Sequence, residues 1–545
     1  MTPDQVTPAR WTRTRRIARS ARRRLRAGLL GWLAAVLAVV AGCSLGPSSR
    51  PPLVTSGEPA PPASSAAPRT PPTGPGGPGR RSDPVRWRTC ATGSSAEVGG
   101  RRFRLDCAQI EVPKAYDGQD GDALTVGIQR ARADGLADSA PPLVAVLGAP
   151  GENGVGAAAS VAGSLPAAVT ARFAVVTLDL RGTGDSVGVD CVSPADAGDL
   201  LALAPDPEQA TSGDLLSRLS RDLTFDCTDE AGPDLTRFAT TPAADDLDTV
   251  RAALGVPALT FLGRGHGATL GAVYAHRYPG RVAAMVLDGP ADPRLGPDAT
   301  ALATAVAAEK ALDTFAAACA GFSGGCPLGT DPRGRITALV QALGDVGITA
   351  DGGRLVTGGT VLLALLLELP DQDRWPALAS AIAALDDADS DPGPLADLVT
   401  GALGGDAVPA RLSAALIYAC NDTSTRVSAA ALTDAVGKAR TAAPLFGPWA
   451  AGTVALCADW PAPAAALGPV SGAGAPPFLV LGAVDDVLSP YSAVRSLAAQ
   501  MPSAVLVSWQ SGAHGAYPAS ACISATVDAY LLQHRVPAAG TLCPP

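Results

Sequence analysis

Five glycine-rich segments hold the groups of this chain best placed to move a proton or hold an anion. They are Gly148-Ala149-Pro150-Gly151-Glu152-Asn153-Gly154, the run from Asp179 to Ser186, Gly263-Arg264-Gly265-His266-Gly267, the run from Gly482 to Pro490, and Gly512-Ala513-His514-Gly515. Backbone N–H groups in a glycine-rich turn can cradle an anion. A histidine oriented by a carboxylate can act as a general base. The chain has four histidines, His266, His276, His514 and His534. His276 lies in a helix-like stretch and His534 near the C-terminus, where surface roles are expected. His514, between glycines, is the candidate base, with Asp486 as its candidate partner and Asp485 as the neighbouring alternative.

Each segment follows a short apolar run. Leu143–Leu147, Phe173–Leu178, Ala258–Leu262, Phe478–Leu481 and Ala504–Trp509 precede the five in turn, and Val282–Leu287 is a sixth such run. Runs of this length and composition read as fully buried strands. Helix-like stretches such as Asp245–Leu254 and Thr269–Tyr278 lie between several of them. The expected fold class is therefore α/β, with a mostly parallel central sheet. In such sheets ligands bind at the carboxyl ends of the strands. From residue 290 to 465 the pattern changes to Ala/Leu-rich helices, which reads as a large helical cap inserted between core segments 85–289 and 466–545.

Tight turn, acid and histidine follow one another in the chain order of the α/β-hydrolase triad. The sequence resembles the actinobacterial tripeptidyl aminopeptidase and proline iminopeptidase-like branch of that superfamily, from about Trp87 to Cys543. The marks are Val112-Pro113 after Cys107, GAPGENG where that family has GGPGGSG, DLRGTGDS, and Ala244-Asp245-Asp246-Leu247-Asp248 with Arg251, Leu254 and Gly255. VLDGPADP at 286–293, Cys457-Ala458-Asp459-Trp460-Pro461 and the Cys522–Cys543 segment match as well. The resemblance implies a triad with Asp486 four residues before Pro490 and His514 in a G-x-H-G context. It also implies oxyanion donors around Gly148, Ala149 and His266. One departure stands out. The family places serine at the centre of Gly-x-Ser-x-Gly, and here that residue is Gly265, which has no hydroxyl to attack a carbonyl. His266 as a substitute nucleophile is disfavoured, because the side chain at that position points elsewhere. Asp179, Arg181 and Asp185 are expected to hydrogen-bond within loops.

A different chemistry also fits part of this turn. Residues 263–268 match G-x-G-x-x-A after a strand, and Asp288 ends the next one, a pattern used for dinucleotides. It is rejected because the turn is not the first of the sheet, because an exported protein meets little NAD, and because a serine-to-glycine change in the hydrolase turn creates the pattern automatically. With that reading set aside no cofactor is expected, and no metal site either, since there is no CxxC and no paired His/Cys spacing.

The chain is 545 residues long, 47% hydrophobic and 17% charged, with a net charge of −9. A pI near 5.1 and mean hydropathy of +0.20 exclude general nucleic-acid binding and disorder throughout. Nine of the 42 basic residues and one of the 51 acidic ones lie in residues 1–27, leaving the rest at net −17. An apolar run from Leu29 to Val40 follows, then Val40-Ala41-Gly42-Cys43. This is read as a lipoprotein signal peptide over 1–42, with Cys43 lipidated. Residues 43–84, rich in Pro, Ser and Gly, read as a solvated tether. The protein is thus expected outside the cytoplasm, lipid-anchored to the outer face of the membrane and in part released. Of 11 cysteines, ten remain beyond Cys43: Cys90, Cys107, Cys191, Cys227, Cys319, Cys326, Cys420, Cys457, Cys522 and Cys543. An even number in an exported chain implies five disulfides, with sequence neighbours the favoured partners because short loops close cheaply. The function expected is a disabled peptidase-like lipoprotein that keeps a peptide-binding cleft. The alternative is a residual or rerouted serine-type hydrolase.

Overall fold

The computed structural model describes residues 83–116, 121–152, 154–204, 210–350, 353–386, 391–463 and 466–545. Residues 1–82, which hold the signal peptide, Cys43 and all but the last two residues of the 43–84 tether, lie outside the described residues, as does Asn153.

Eleven strands form one sheet. They are β1 (Arg88–Thr89), β2 (Ser95–Val98), β3 (Arg101–Pro113), β4 (Ala123–Ala133), β5 (Pro142–Leu147), β6 (Ala174–Leu178), β7 (Leu259–Arg264), β8 (Val282–Asp288), β9 (Phe478–Ala483), β10 (Ala504–Trp509) and β11 (Thr541–Cys543). Their order is β1-β3-β4-β6-β5-β7-β8-β9-β10-β11, with β2 paired to β3. From β6 through β11 every pairing is parallel, and the β1–β4 end is antiparallel up to and including β4·β6.

The central strands are buried on both faces because their side chains alternate between two cores. In β5, Leu143, Ala145 and Leu147 join one cluster while Val144 and Val146 join the other. In β9, Leu479 and Leu481 oppose Phe478 and Val480 in the same way. Each fully buried aliphatic side chain of this kind stabilises the fold by roughly 1.5–3 kcal/mol. Helices α1 (Ala158–Ser164) and α7 (Ala521–Gln533) cover one face. Helices α2 (Thr240–Ala253) and α3 (His266–Arg277) cover the other. Helix α6 (Tyr491–Gln500) follows β9.

The six apolar runs read from sequence all form strands, with ends within two residues of those expected. The two longest strands, β3 and β4, were not among them. One face of this hairpin is charged: Arg130 and Arg132 both donate to Asp106, and Arg130 stacks over Trp87 at 4.2 Å. Asp106 shares its face with Ala108, Ile110 and Val112, while Phe103 and Leu105 point into the other core, so no single apolar alternation runs the length of β3.

Between β8 and β9 the chain runs through helices; α4 (Pro297–Cys319) helps to build a third apolar core, while α5 (Val408–Asn421) packs into the core on the α2/α3 face of the sheet. Among the described residues, the strands there are the two-residue Ile348–Thr349 and Leu355–Val356. Five disulfides join sequence neighbours: Cys90–Cys107, Cys191–Cys227, Cys319–Cys326, Cys420–Cys457 and Cys522–Cys543. Such cross-links form and persist in oxidising compartments, which places the folded body outside the cytoplasm.

Candidate active site

Strand β7 turns sharply into α3 at Gly265, whose φ is +56° and ψ −120°. L side chains rarely adopt this conformation. The turn holds three glycines with different reasons for being there. A β-carbon on Gly263 would run into the Gly267 carbonyl, and one on Gly267 into the Val146 carbonyl. These two are glycines because α3 packs directly on the sheet. Gly265 is different. A β-carbon there would meet only ordinary contacts, the nearest being His514 Nε2 at 3.7 Å and the Gly148 carbonyl oxygen at 3.8 Å. A hydroxyl one bond further out would come within hydrogen-bond reach of that nitrogen, about 2.6–3.2 Å.

On the far side of the imidazole, His514 Nδ1 lies 3.0 Å from Asp486 Oδ2. Asp486 is buried, and its Oδ1 accepts the N–H groups of Leu488 (2.8 Å) and Ser489 (3.1 Å). These bonds fix the carboxylate on the loop after β9. Burial opposes a charge on His514. The hydrogen bond and charge of Asp486, with Asp288 adding, outweigh it and raise the imidazole pKa above the ordinary histidine value. Asp485, the alternative acid, instead pairs with Lys310 of α4 at a partly exposed position.

Asp288 at the end of β8, which enters the sequence argument only through the VLDGPADP mark and the rejected dinucleotide pattern, is a positioning group. Its carboxylate is buried and accepts the N–H groups of Ala516 and Tyr517, both at 3.0 Å. Its carbonyl accepts the Gly265 N–H at 2.9 Å. One residue thus links the corner to the histidine loop. Arg264 adds a bond from Nη2 to the Tyr517 carbonyl at 2.7 Å. A carboxylate this buried, with each oxygen already accepting a backbone N–H, is not presented to a ribose, which argues against the dinucleotide reading.

The turn after β5 differs from expectation. Its N–H groups were expected to be free for an anion. The Gly148 N–H instead donates to the Arg264 carbonyl at 3.1 Å, and the Ala149 N–H donates to Glu152 Oε2 at 2.9 Å. Gly148 therefore presents a carbonyl, not a donor, to the corner. His266 begins α3, so its N–H belongs to the first helical turn, where no intrahelical acceptor exists. Its ring points into the protein. Nε2 lies 3.2 Å from Thr240 Oγ1, and the ring packs edge-on to Tyr418 at 5.2 Å. Burial lowers its pKa to about 4, so it is neutral at physiological pH. Thr240 in turn donates to Asp422 at 2.6 Å.

The remaining candidates are structural. Asp179 accepts N–H bonds from Val155 and Asp185, each at 2.8 Å, and burial raises its pKa to about 6. Arg181 is fully buried, pairs with Asp246, and donates to the carbonyls of Pro113 and Lys114. Asp185 lends its N–H to Asp179 and carries no role at the corner. His276 contacts Ser471 at the surface and His534 caps the end of α7.

A family model for the alpha/beta hydrolase fold matches residues 141–338, and one for TAP-like proteins matches residues 443–543. The chain is 29% identical to serine protease Hip1 of Mycobacterium tuberculosis over 480 residues, covering 84% of this chain and 91% of that protein. It is 29% identical to carboxylesterase B of the same organism over 476 residues, covering 84% of this chain and 90% of that protein. It is also 30% identical to tripeptidyl aminopeptidase of Streptomyces coelicolor over 202 residues, 35% of this chain and 36% of that one.

Proposed function

Because the chain belongs to the α/β-hydrolase superfamily, with a TAP-like C-terminal region, and yet carries glycine at the corner faced by His514, we propose that it is an exported peptide-binding member that no longer performs acyl transfer there. The observation that carries this reading is the 3.7 Å separation between His514 Nε2 and a notional β-carbon on Gly265. Base and orienting acid are in register with a position that offers no nucleophile. Removing the nucleophile from such a triad costs about 10⁶ in turnover, leaving about 10³–10⁴ over water from binding and electrostatics. The relatives named serine protease and tripeptidyl aminopeptidase supply the ligand class, a peptide. The basic block, the apolar run and Val40-Ala41-Gly42-Cys43 support export and lipidation at Cys43. The protein then presents its cleft at the outer face of the membrane, with a fraction released.

Two experiments test the parts separately. Hydrolysis of a chromogenic tripeptide anilide by the wild type should be no faster than by His514→Ala. Turnover that His514→Ala abolishes would refute the disabled reading in favour of a rerouted hydrolase, in which the retained His514–Asp486 pair activates water directly. Metabolic labelling with an alkyne fatty acid should tag the wild type and not Cys43→Ala. Equal labelling of both would refute lipidation at Cys43.

A further inference from the structure

The turn opposite the corner is occupied from within. Glu152 Oε2 accepts the Ala149 N–H at 2.9 Å, and the Glu152 N–H donates back to the Ala149 carbonyl at 3.0 Å. The carboxylate lies so close over Gly148, whose φ is +92°, that a β-carbon at 148 would collide with it. Gly148 also supplies the carbonyl that faces Gly265. Glu152 therefore sits on the turn that lines the corner, on the one N–H of the Gly148-Ala149 pair not already bonded into the sheet. In this fold an N–H from that turn and the N–H of the residue after the corner stabilise a developing oxyanion. Here the turn's donor is bonded to a carboxylate, which brings a negative charge to the same place.

We propose that Glu152 is a built-in occupant of the oxyanion position and sets the ligand class of the cleft: neutral or cationic groups are admitted at the corner, while carboxylates and oxyanions are excluded. This rests on the reading of the corner given above and extends it. The chain has two independent departures from acyl-transfer machinery, a missing hydroxyl and a filled anion site. The two act by different physics. Gly265 removes an attacking atom. Glu152 removes a donor and adds repulsion, because a second negative group beside it would be both unpaired and like-charged.

The test uses the folded extracytoplasmic protein, ¹³C-labelled at its four histidines, and phenylphosphonate as a non-covalent oxyanion mimic. Binding is followed on the His514 ring resonances, which report the corner and nothing distant. Glu152→Ala should bind phenylphosphonate at least about tenfold more tightly than the wild type. Glu152→Gln, which removes the charge but keeps an acceptor for Ala149, should fall between them. Equal affinity in all three, including no binding in any, would overturn the proposal. Because no bond to residue 265 forms, this result is independent of whether the wild type turns over substrate. A wild type that hydrolyses the tripeptide anilide while Glu152→Ala gains phosphonate affinity would sink the disabled reading and leave the Glu152 assignment standing.

Discussion

His514 and Gly265 face one another across a gap sized for a side chain: His514 Nε2 lies 3.7 Å from where a β-carbon on Gly265 would stand, with Asp486 held on the other ring nitrogen at 3.0 Å. The charge-relay geometry is thus maintained around a residue that cannot use it. This arrangement has measurable consequences beyond activity.

The imidazole should titrate above the ordinary histidine value near 6.5. Asp486→Asn removes the Asp486 charge that raises it, leaving Asp288 alone against burial, which lowers it. The His514 pKa should then fall below that of the wild type in an NMR titration. The sign for stability follows. A histidine whose folded pKa is raised contributes stability that is complete below 6.5 and disappears as pH rises through the folded value. The wild type should lose more stability than Asp486→Asn across that window, as read by urea unfolding at a series of pH values.

Backbone geometry makes opposite forecasts for neighbouring glycines. At φ +56° and ψ −120°, a serine or alanine at 265 is strained by about 1–3 kcal/mol but meets no clash. Gly265→Ala should fold and melt a few degrees lower. Gly267→Ala drives a methyl into the Val146 carbonyl. Its loss should exceed that of Gly265→Ala by several kcal/mol, or abolish folding, in a denaturant titration of both variants.

Much of this was legible in the sequence, for identifiable reasons. Leu143–Leu147 and Phe478–Leu481 are apolar on both faces, so their burial follows from composition alone. The turns after them stand out because glycine clusters there. The β3–β4 hairpin escaped because Arg130, Arg132 and Asp106 neutralise one another on one face, a pairing set by register and not by local pattern. Asp288 escaped because its role depends on the backbone of Ala516 and Tyr517, more than two hundred residues away. The bond from Ala149 to Glu152 depends on how the turn folds back, which residue types do not specify.

The cross-link Cys191–Cys227 closes a separation of 36 residues, and Cys227 is fully buried. Replacing both cysteines by alanine should cost about 2–4 kcal/mol through the larger entropy of the unfolded chain. Equilibrium unfolding of the double variant against the wild type measures this directly. The Lys310–Asp485 pair is partly exposed, at 66% and 41% for the two side chains. Lys310→Ala should change stability by less than about 1 kcal/mol in the same assay.

Restoring the hydroxyl separates the two departures. Gly265→Ser alone should react slowly with an acyl or phosphonyl reagent, because Glu152 still holds the Ala149 donor. Gly265→Ser with Glu152→Ala should react about 10²-fold faster or more, the scale of one oxyanion donor. Stopped-time labelling of the two variants under identical conditions checks this.

Labelling by a fluorophosphonate probe tests the central claim most directly, with the wild type, His514→Ala and the Gly265→Ser/Glu152→Ala variant run side by side. The wild type should remain as unlabelled as His514→Ala, while the double variant becomes covalently modified at residue 265. Strong labelling of the wild type that vanishes in His514→Ala would mean that another nucleophile serves this imidazole, and the disabled corner would have to be abandoned.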